Sequence, residues 1–185
     1  AKAGLKTLLV EKHNIPGGSA SSFRRGRFEF EPSLHELCSV GTKEKPKEVY
    51  KIFDELGVNI DWRYEYNTFR AIVTGENGFD VKLRAGVENF CDDMEKAVPG
   101  CRESVKNFFD LAKKDAAALE YIYKMKGKPN PLTMVFKHAD FMRTACHSVE
   151  DVEIALGMPE KARDILNPYW CYLGIPTDDL NAMHY

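Results

Sequence analysis

The chain has 185 residues, of which 44% are hydrophobic and 29% charged, with a net charge of −2 and a pI near 6.3. That balance supports a packed core and lacks the basic excess of a nucleic-acid-binding protein. The longest apolar runs, such as 7–10 and 132–136, fall far short of the roughly 20 residues of a spanning helix; peripheral contact with a membrane surface stays open.

The opening, "AKAGLK", reads as the last turn of a helix stopped at Gly4. A domain seldom starts there, so further chain upstream is expected. Residues 5–10 form an apolar run ending at Glu11, read as a buried parallel strand. Residues 19–27 are polar. Phe28 to Glu31 alternate, which predicts a short strand stopped at Pro32. The charged stretch 41–48 contains Pro46 and is read as a linker.

Val49, Ile52, Phe53 and Leu56 have helical spacing, with Gly57 as the stop. Strands are predicted near 62–74 and 79–84, on either side of a hairpin turn at Asn77-Gly78. A helix should run over 87–98 and end at Pro99-Gly100. The longest helix, 102–126, carries the stripe Val105, Phe109, Ala112, Ala116, Leu119 and Tyr123, read as one buried face rather than a coiled-coil seam. Lys113, Lys114 and Asp115 read as a solvated face. Shorter helices are expected at 133–147, 149–156 and 159–167.

The cysteines, Cys38, Cys91, Cys101, Cys146 and Cys171, are odd in number, scattered and never spaced C-x-x-C. This predicts free thiols in a reducing, cytoplasmic setting. His138, Asp140 and His147 lack the tight spacing of a metal site, so no metal is expected. No Ser-His-Asp or Cys-His pattern is defined by spacing, and no catalytic residue is assigned. The aromatic group Trp62, Tyr64, Tyr66 and Phe69 suits either a pocket for an apolar ligand or a sheet core.

The chemistry concentrates in 10–36, "VEKHNIPGGSASSFRRGRFEFEPSLHE". A strand-terminal carboxylate such as Glu11 can accept hydrogen bonds from both ribose hydroxyls of an adenosine. Gly17 and Gly18 leave the backbone bare for close approach of a ligand. The ordered set Glu11, Lys12, Gly17, Gly18, Ser19, Phe23, Arg24, Gly26, Phe28, Glu29 and His35 resembles the flavin-dependent oxidoreductases of the phytoene desaturase, carotenoid isomerase and retinol saturase group, within the amine-oxidase-like superfamily. The segment 172–180, "YLGIPTDDL", looks like a substrate-side segment of the same group. The likeness is strong over 1–41 and loose over 42–185.

The resemblance implies an α/β architecture. Residues 1–41 would be part of a Rossmann-like FAD-binding domain (second strand and glycine loop), and 42–185 a substrate-side α+β domain with a β-hairpin and several helices. It implies FAD as cofactor, with Glu11 on the ribose, Gly17, Gly18 and Ser19 along the pyrophosphate or flavin side, and Lys12 and His35 as further cofactor-side positions. It implies hydride transfer to or from a lipophilic, polyene-like substrate. The sequence departs from the group in two ways. No G-x-G-x-x-G phosphate loop occurs in 1–41, and Ser33 stands where many relatives have Gly. The chain is therefore expected to be an internal piece of a larger enzyme. Two other readings stay open: a non-catalytic fragment or module binding an apolar ligand or a protein partner, and a flavin amine oxidase. The oligomeric state is not legible.

Overall fold

Two short hairpins account for all the strands of the computed structural model, which describes residues 1–32 and 37–184. The chain divides into two compact units, Ala1–Glu65 and Tyr66–Tyr185. The division falls later in the chain than the end at residue 41 expected for the partial cofactor-binding segment.

In the first unit, β1 (Phe23–Arg25) pairs antiparallel with β2 (Phe28–Phe30) across a turn at Gly26. Gly26 takes φ 60°, a left-handed conformation that a glycine adopts without strain. The Phe23 and Phe30 rings stack at 5.0 Å, and Arg24 bridges to Glu29 at 2.8 Å on the other face. Helix α1 (Glu48–Glu55) forms where the apolar spacing predicted it and stops at Gly57. The 41–48 stretch is a tight turn: Gly41 bridges to Pro46, and a Cβ on Gly41 would come within 2.4 Å of the Lys45 carbonyl oxygen.

The apolar run 5–10 differs from expectation. It is assigned no strand, and Leu8 and Val10 are 87% and 80% exposed. A parallel strand takes its hydrogen bonds and its cover from neighbours on each side. Among the described residues no strand pairs with it, so hydrophobicity alone does not bury it.

The second unit holds the core. Strands β3 (Asn67–Val73) and β4 (Phe79–Arg84) pair antiparallel, with Phe69 opposite Leu83 and Ala71 opposite Val81; the loop between them, 74–78, contains the predicted Asn77-Gly78 but takes its left-handed residue at Gly75, φ 115°. Helix α2 (Val87–Ala97) packs on β4, and α3 (Arg102–Lys124) packs on α2. Between them, Glu95 accepts the backbone N–H groups of Gly100 and Arg102 at 2.7 and 2.8 Å, which ties the Pro99-Gly100 turn to α2. Arg84 grips Asp93 with two nitrogens at 2.7 and 2.8 Å and holds that carboxyl below the usual carboxylate range. Leu83, Met94, Val105, Val149 and Ile165 are fully buried here.

The expected 133–147 helix is two helices, α4 (Pro131–Lys137) and α5 (Ala139–Thr144). The break is His138, whose φ −123° and ψ 35° leave the helical region. Its ring stacks on Tyr121 of α3 at 5.2 Å, a long-range contact that fixes where the chain turns. The stripe expected along α3 also shifts. The first half of α3 buries Val105 and Phe108 in the main core, whereas the second half buries Ala118 against Met134 and Phe141. The buried face therefore rolls by roughly a quarter of the helix circumference along its length. Ala116 and Tyr123 are left exposed, and Asp115 is buried.

Helices α6 (Val149–Ala155) and α7 (Glu160–Leu166) close the unit, followed by a 3₁₀ turn, Asn167–Leu173. Ser148 caps α6 by accepting the Asp151 N–H at 3.0 Å, while Asp151 accepts the Ser148 N–H at 3.3 Å. Ser148→Ala should lower stability by about 1 kcal/mol in urea titration; no loss would show that the returning segment, in which Leu180 O accepts the Val149 N–H at 2.8 Å, holds this end by itself.

Candidate functional site

An apolar groove of about 280 Å³ opens in the second unit. Its wall begins with Thr68 and Phe69 of β3, the strand that the hairpin pairs with β4. Gly86 and Val87 start α2 at the rim, Phe90 lies one turn further in, and α3 contributes Phe108, Phe109 and Ala112. Leu166 and Tyr169, at the junction of α7 and the 3₁₀ turn, complete it.

The aromatic rings hold one another in place. Phe69 stacks on Tyr169 at 5.2 Å, and Phe90 meets Phe109 edge-on at 5.1 Å with an interplanar angle of 85°. Edge-to-face and offset pairs of this kind add about 1 kcal/mol beyond area burial. Phe90 and Phe108 form the buried floor, while Phe69 and Phe109 are half-buried at the mouth. The volume lies at the lower end for small-molecule pockets. It suits a ring or the end of a long apolar chain rather than the whole of one.

A polar cluster is tied to the residue that follows Leu166. Glu153 of α6 has no exposed surface, and its Oε2 accepts only a long contact of 3.4 Å from Asn167 Nδ2. Its Oε1, the Asn167 Oδ1 and the Arg163 Nε lack hydrogen-bond partners among the described residues. Arg163 is directed to Glu150, at 2.6 Å, rather than to Glu153. Burial pushes the Glu153 carboxyl up to about 7. Asp115 repeats the pattern more mildly: burial raises its carboxyl, and a 2.8 Å bond from Thr144 Oγ1 opposes that. Neither carboxylate was singled out from sequence as a buried group. The signal was present in α6, where Glu153 shares the helix face of Val149, Val152 and Leu156.

The residues predicted for a cofactor lie in the first unit. Glu11 is exposed, and its Oε1 accepts the His13 N–H at 2.8 Å. Lys12 and Ser19 are exposed as well. Gly17 takes φ 122° and Gly18 φ 55°, opening the 3₁₀ turn Gly18–Ala20. A Cβ on Gly17 would approach Ser21 Oγ to 2.9 Å, whereas the space beside Gly18 is open. His35 lies outside the described residues. The set comprises a solvent-facing carboxylate followed by two glycines, with open space beside Gly18 but not beside Gly17. Among the described residues no cradle for the phosphates accompanies it, and none of them forms a group of three His, Cys, Asp or Glu able to hold a metal.

Of the aromatic residues read as either pocket lining or sheet core, Phe69 is both: it lines the groove and packs against the main core. Trp62 lines a separate hollow of about 240 Å³ within the first unit, with Tyr50, Phe53 and Asp54. Tyr64 and Tyr66 are exposed. Cys91 and Cys101 are buried thiols, and burial pushes Cys101 up to about 11.

Among curated proteins, the chain is similar to all-trans-retinol 13,14-reductase. It is 25% identical over 195 aligned residues to that enzyme of Danio rerio, covering all of this chain and 32% of the relative. The proteins of the same name from Rattus norvegicus and Homo sapiens are 23% and 21% identical, again over the whole of this chain and over 30% and 32% of theirs. The chain thus spans about a third of the length of the curated relatives it matches. No family model matches it. No solved structure matches it.

Proposed function

We propose that this chain is part of an FAD-dependent oxidoreductase that moves hydride between flavin and a carbon–carbon bond of a lipophilic, polyene-like substrate. The observation that carries this reading is the similarity of the whole chain, end to end, to proteins named as retinol reductases. The name of those relatives also favours carbon–carbon reduction over amine oxidation. Bound flavin supplies two-electron chemistry: saturating a double bond places a hydride on one carbon and a proton on its neighbour, and desaturation removes the same pair.

The chain's own residues have binding and shielding roles in this reading. Glu11 accepts the ribose hydroxyls of the adenosine, and Lys12, Gly17, Gly18, Ser19 and His35 lie along the cofactor side. The run 5–10 becomes a strand of a Rossmann-like FAD-binding domain when it pairs with strands outside these 185 residues. That pairing would bury leucines otherwise left in water. The second unit is then the substrate-side domain, and its groove takes the ring or end of the apolar substrate and keeps water from it.

The first test is the visible spectrum of the purified full-length protein that contains this chain, before and after FAD is added. Flavin bands near one per chain are expected, and Glu11→Gln should weaken FAD binding roughly tenfold, by removing the charge from a bidentate acceptor. A colourless protein that ignores added FAD would overturn the flavoenzyme reading. One observation would then favour a binding module: every residue lining the groove comes from the second unit. Such a module would take up an apolar fluorophore at Phe69 and Phe109 without any cofactor.

A further inference from the structure

The turn between α3 and α4, with the outer face of α4, combines exposed apolar side chains with an excess of positive charge. On α4, Met134 points into the core. Leu132, Val135 and Phe136 fall on the opposite side of the helix and are exposed, Phe136 at 79%. The preceding turn adds exposed Tyr123 and Met125. Residues 121–138 contain Lys124, Lys126, Lys128 and Lys137 and no Asp or Glu, in a chain whose net charge is −2. All four lysines are exposed. Only Lys124 has an acidic neighbour, Glu120, at 2.6 Å.

The turn is held rather than loose. Tyr121 Oη accepts the Asn130 N–H at 3.1 Å, its ring stacks on His138, and Asn130 Oδ1 caps α4 by accepting the Leu132 and Thr133 N–H groups at 2.9 and 3.2 Å. The apolar stripe is therefore presented on a fixed scaffold. Three apolar side chains with flanking lysines are what an interfacial segment uses: the rings and methyls enter the acyl boundary, and the ammonium groups sit among anionic headgroups. Lysine stems are long enough to reach those headgroups while the apolar stripe inserts.

We infer that the α3–α4 turn and the outer face of α4 form a docking surface for an anionic lipid membrane. Contact is peripheral, since no helix among the described residues is long and apolar enough to cross a bilayer. The inference does not depend on the flavoenzyme reading, because it uses no cofactor residue and no groove residue.

Flotation of the full chain with vesicles tests it. The protein should float with phosphatidylcholine vesicles containing phosphatidylserine, less with phosphatidylcholine alone, and less again at high salt. Lys126→Gln combined with Lys128→Gln should reduce the partition coefficient about tenfold or more, at roughly 1 kcal/mol for each lysine near the surface. Leu132→Ser combined with Phe136→Ser should reduce it at least as much. Both variants should keep the unfolding curve of the parent, since these side chains are exposed. Ile72→Ser, an exposed apolar residue on the far hairpin, should float like the parent. Absence of binding to phosphatidylserine vesicles at low salt, or equal flotation of the α4 variant and the parent, would overturn the inference. So would a parent of twice the expected mass that Phe136→Ser converts to single chains, which would assign this face to a second copy.

Discussion

Replacing Glu153 with Gln should raise stability by about 3 kcal/mol at pH 8 and change it little at pH 4. The carboxyl has no exposed surface, and its nearest cation is committed elsewhere, since Arg163 bonds Glu150 at 2.6 Å. Burial is the leading cause of its raised pKa, with Asn167 and Arg163 opposing and Glu150 adding to it. The ordinary carboxyl value of 4.5 rises to about 7 in the fold, and each pKa unit corresponds to about 1.4 kcal/mol. Between those values the folded state holds a proton that the unfolded state has lost. Stability therefore falls as pH rises through that window, and it is fully present only below about 4.5. A glutamine has the same shape and no charge to bury, and its amide N–H can donate to the unpaired Asn167 Oδ1. Urea titrations of parent and variant from pH 4 to pH 8 check this. A difference that stays flat across the window, or a variant less stable at pH 8, would contradict a Glu153 carboxyl raised by burial.

The second large effect is at the floor of the groove. Phe90→Ala should cost about 3–5 kcal/mol, the transfer energy of the ring plus that of the cavity it leaves. The ring is 4% exposed, edge-on to Phe109 at 5.1 Å and 6.2 Å from Phe69, so its loss would unseat two further walls. Phe90→Leu should recover most of that loss. Phe109→Ala, at the half-buried mouth, should cost roughly half as much and widen the opening. A loss below about 1 kcal/mol for Phe90→Ala would mean that the groove collapses freely, and so could not act as a preformed site.

Much of the local structure was legible because it rests on local chemistry. Asn77-Gly78 marked the place of the hairpin but not its geometry: the loop spans 74–78 and its left-handed residue is Gly75, at φ 115°, while Gly78 is needed because a Cβ there would come within 2.4 Å of the Val73 carbonyl oxygen. Gly57 and Pro99-Gly100 marked helix stops, and the spacing of Val49, Ile52, Phe53 and Leu56 marked α1. The paired glycines Gly17 and Gly18 take positive φ, a conformation that glycine adopts without strain. Less of the candidate site was legible. Phe69 and Tyr169 stack at 5.2 Å although a hundred positions separate them, and no periodicity within either segment encodes that meeting.

The apolar run 5–10 shows the limit from the other side. Its composition predicts a buried strand, but a strand is defined by its neighbours, and the described residues provide none for it. The sequence by itself determined the helix stops at Gly57 and Pro99-Gly100 and the place of the hairpin, because those depend on backbone preferences within a few residues. The tertiary structure alone decided which faces are covered. It turned the buried side of α3 from Val105 to Ala118, broke the chain at His138 by stacking its ring on Tyr121, and enclosed Glu153 without a cation of its own. Burial, and with it the charge state of a carboxyl or the walls of a groove, is set by side chains that arrive from distant parts of the chain.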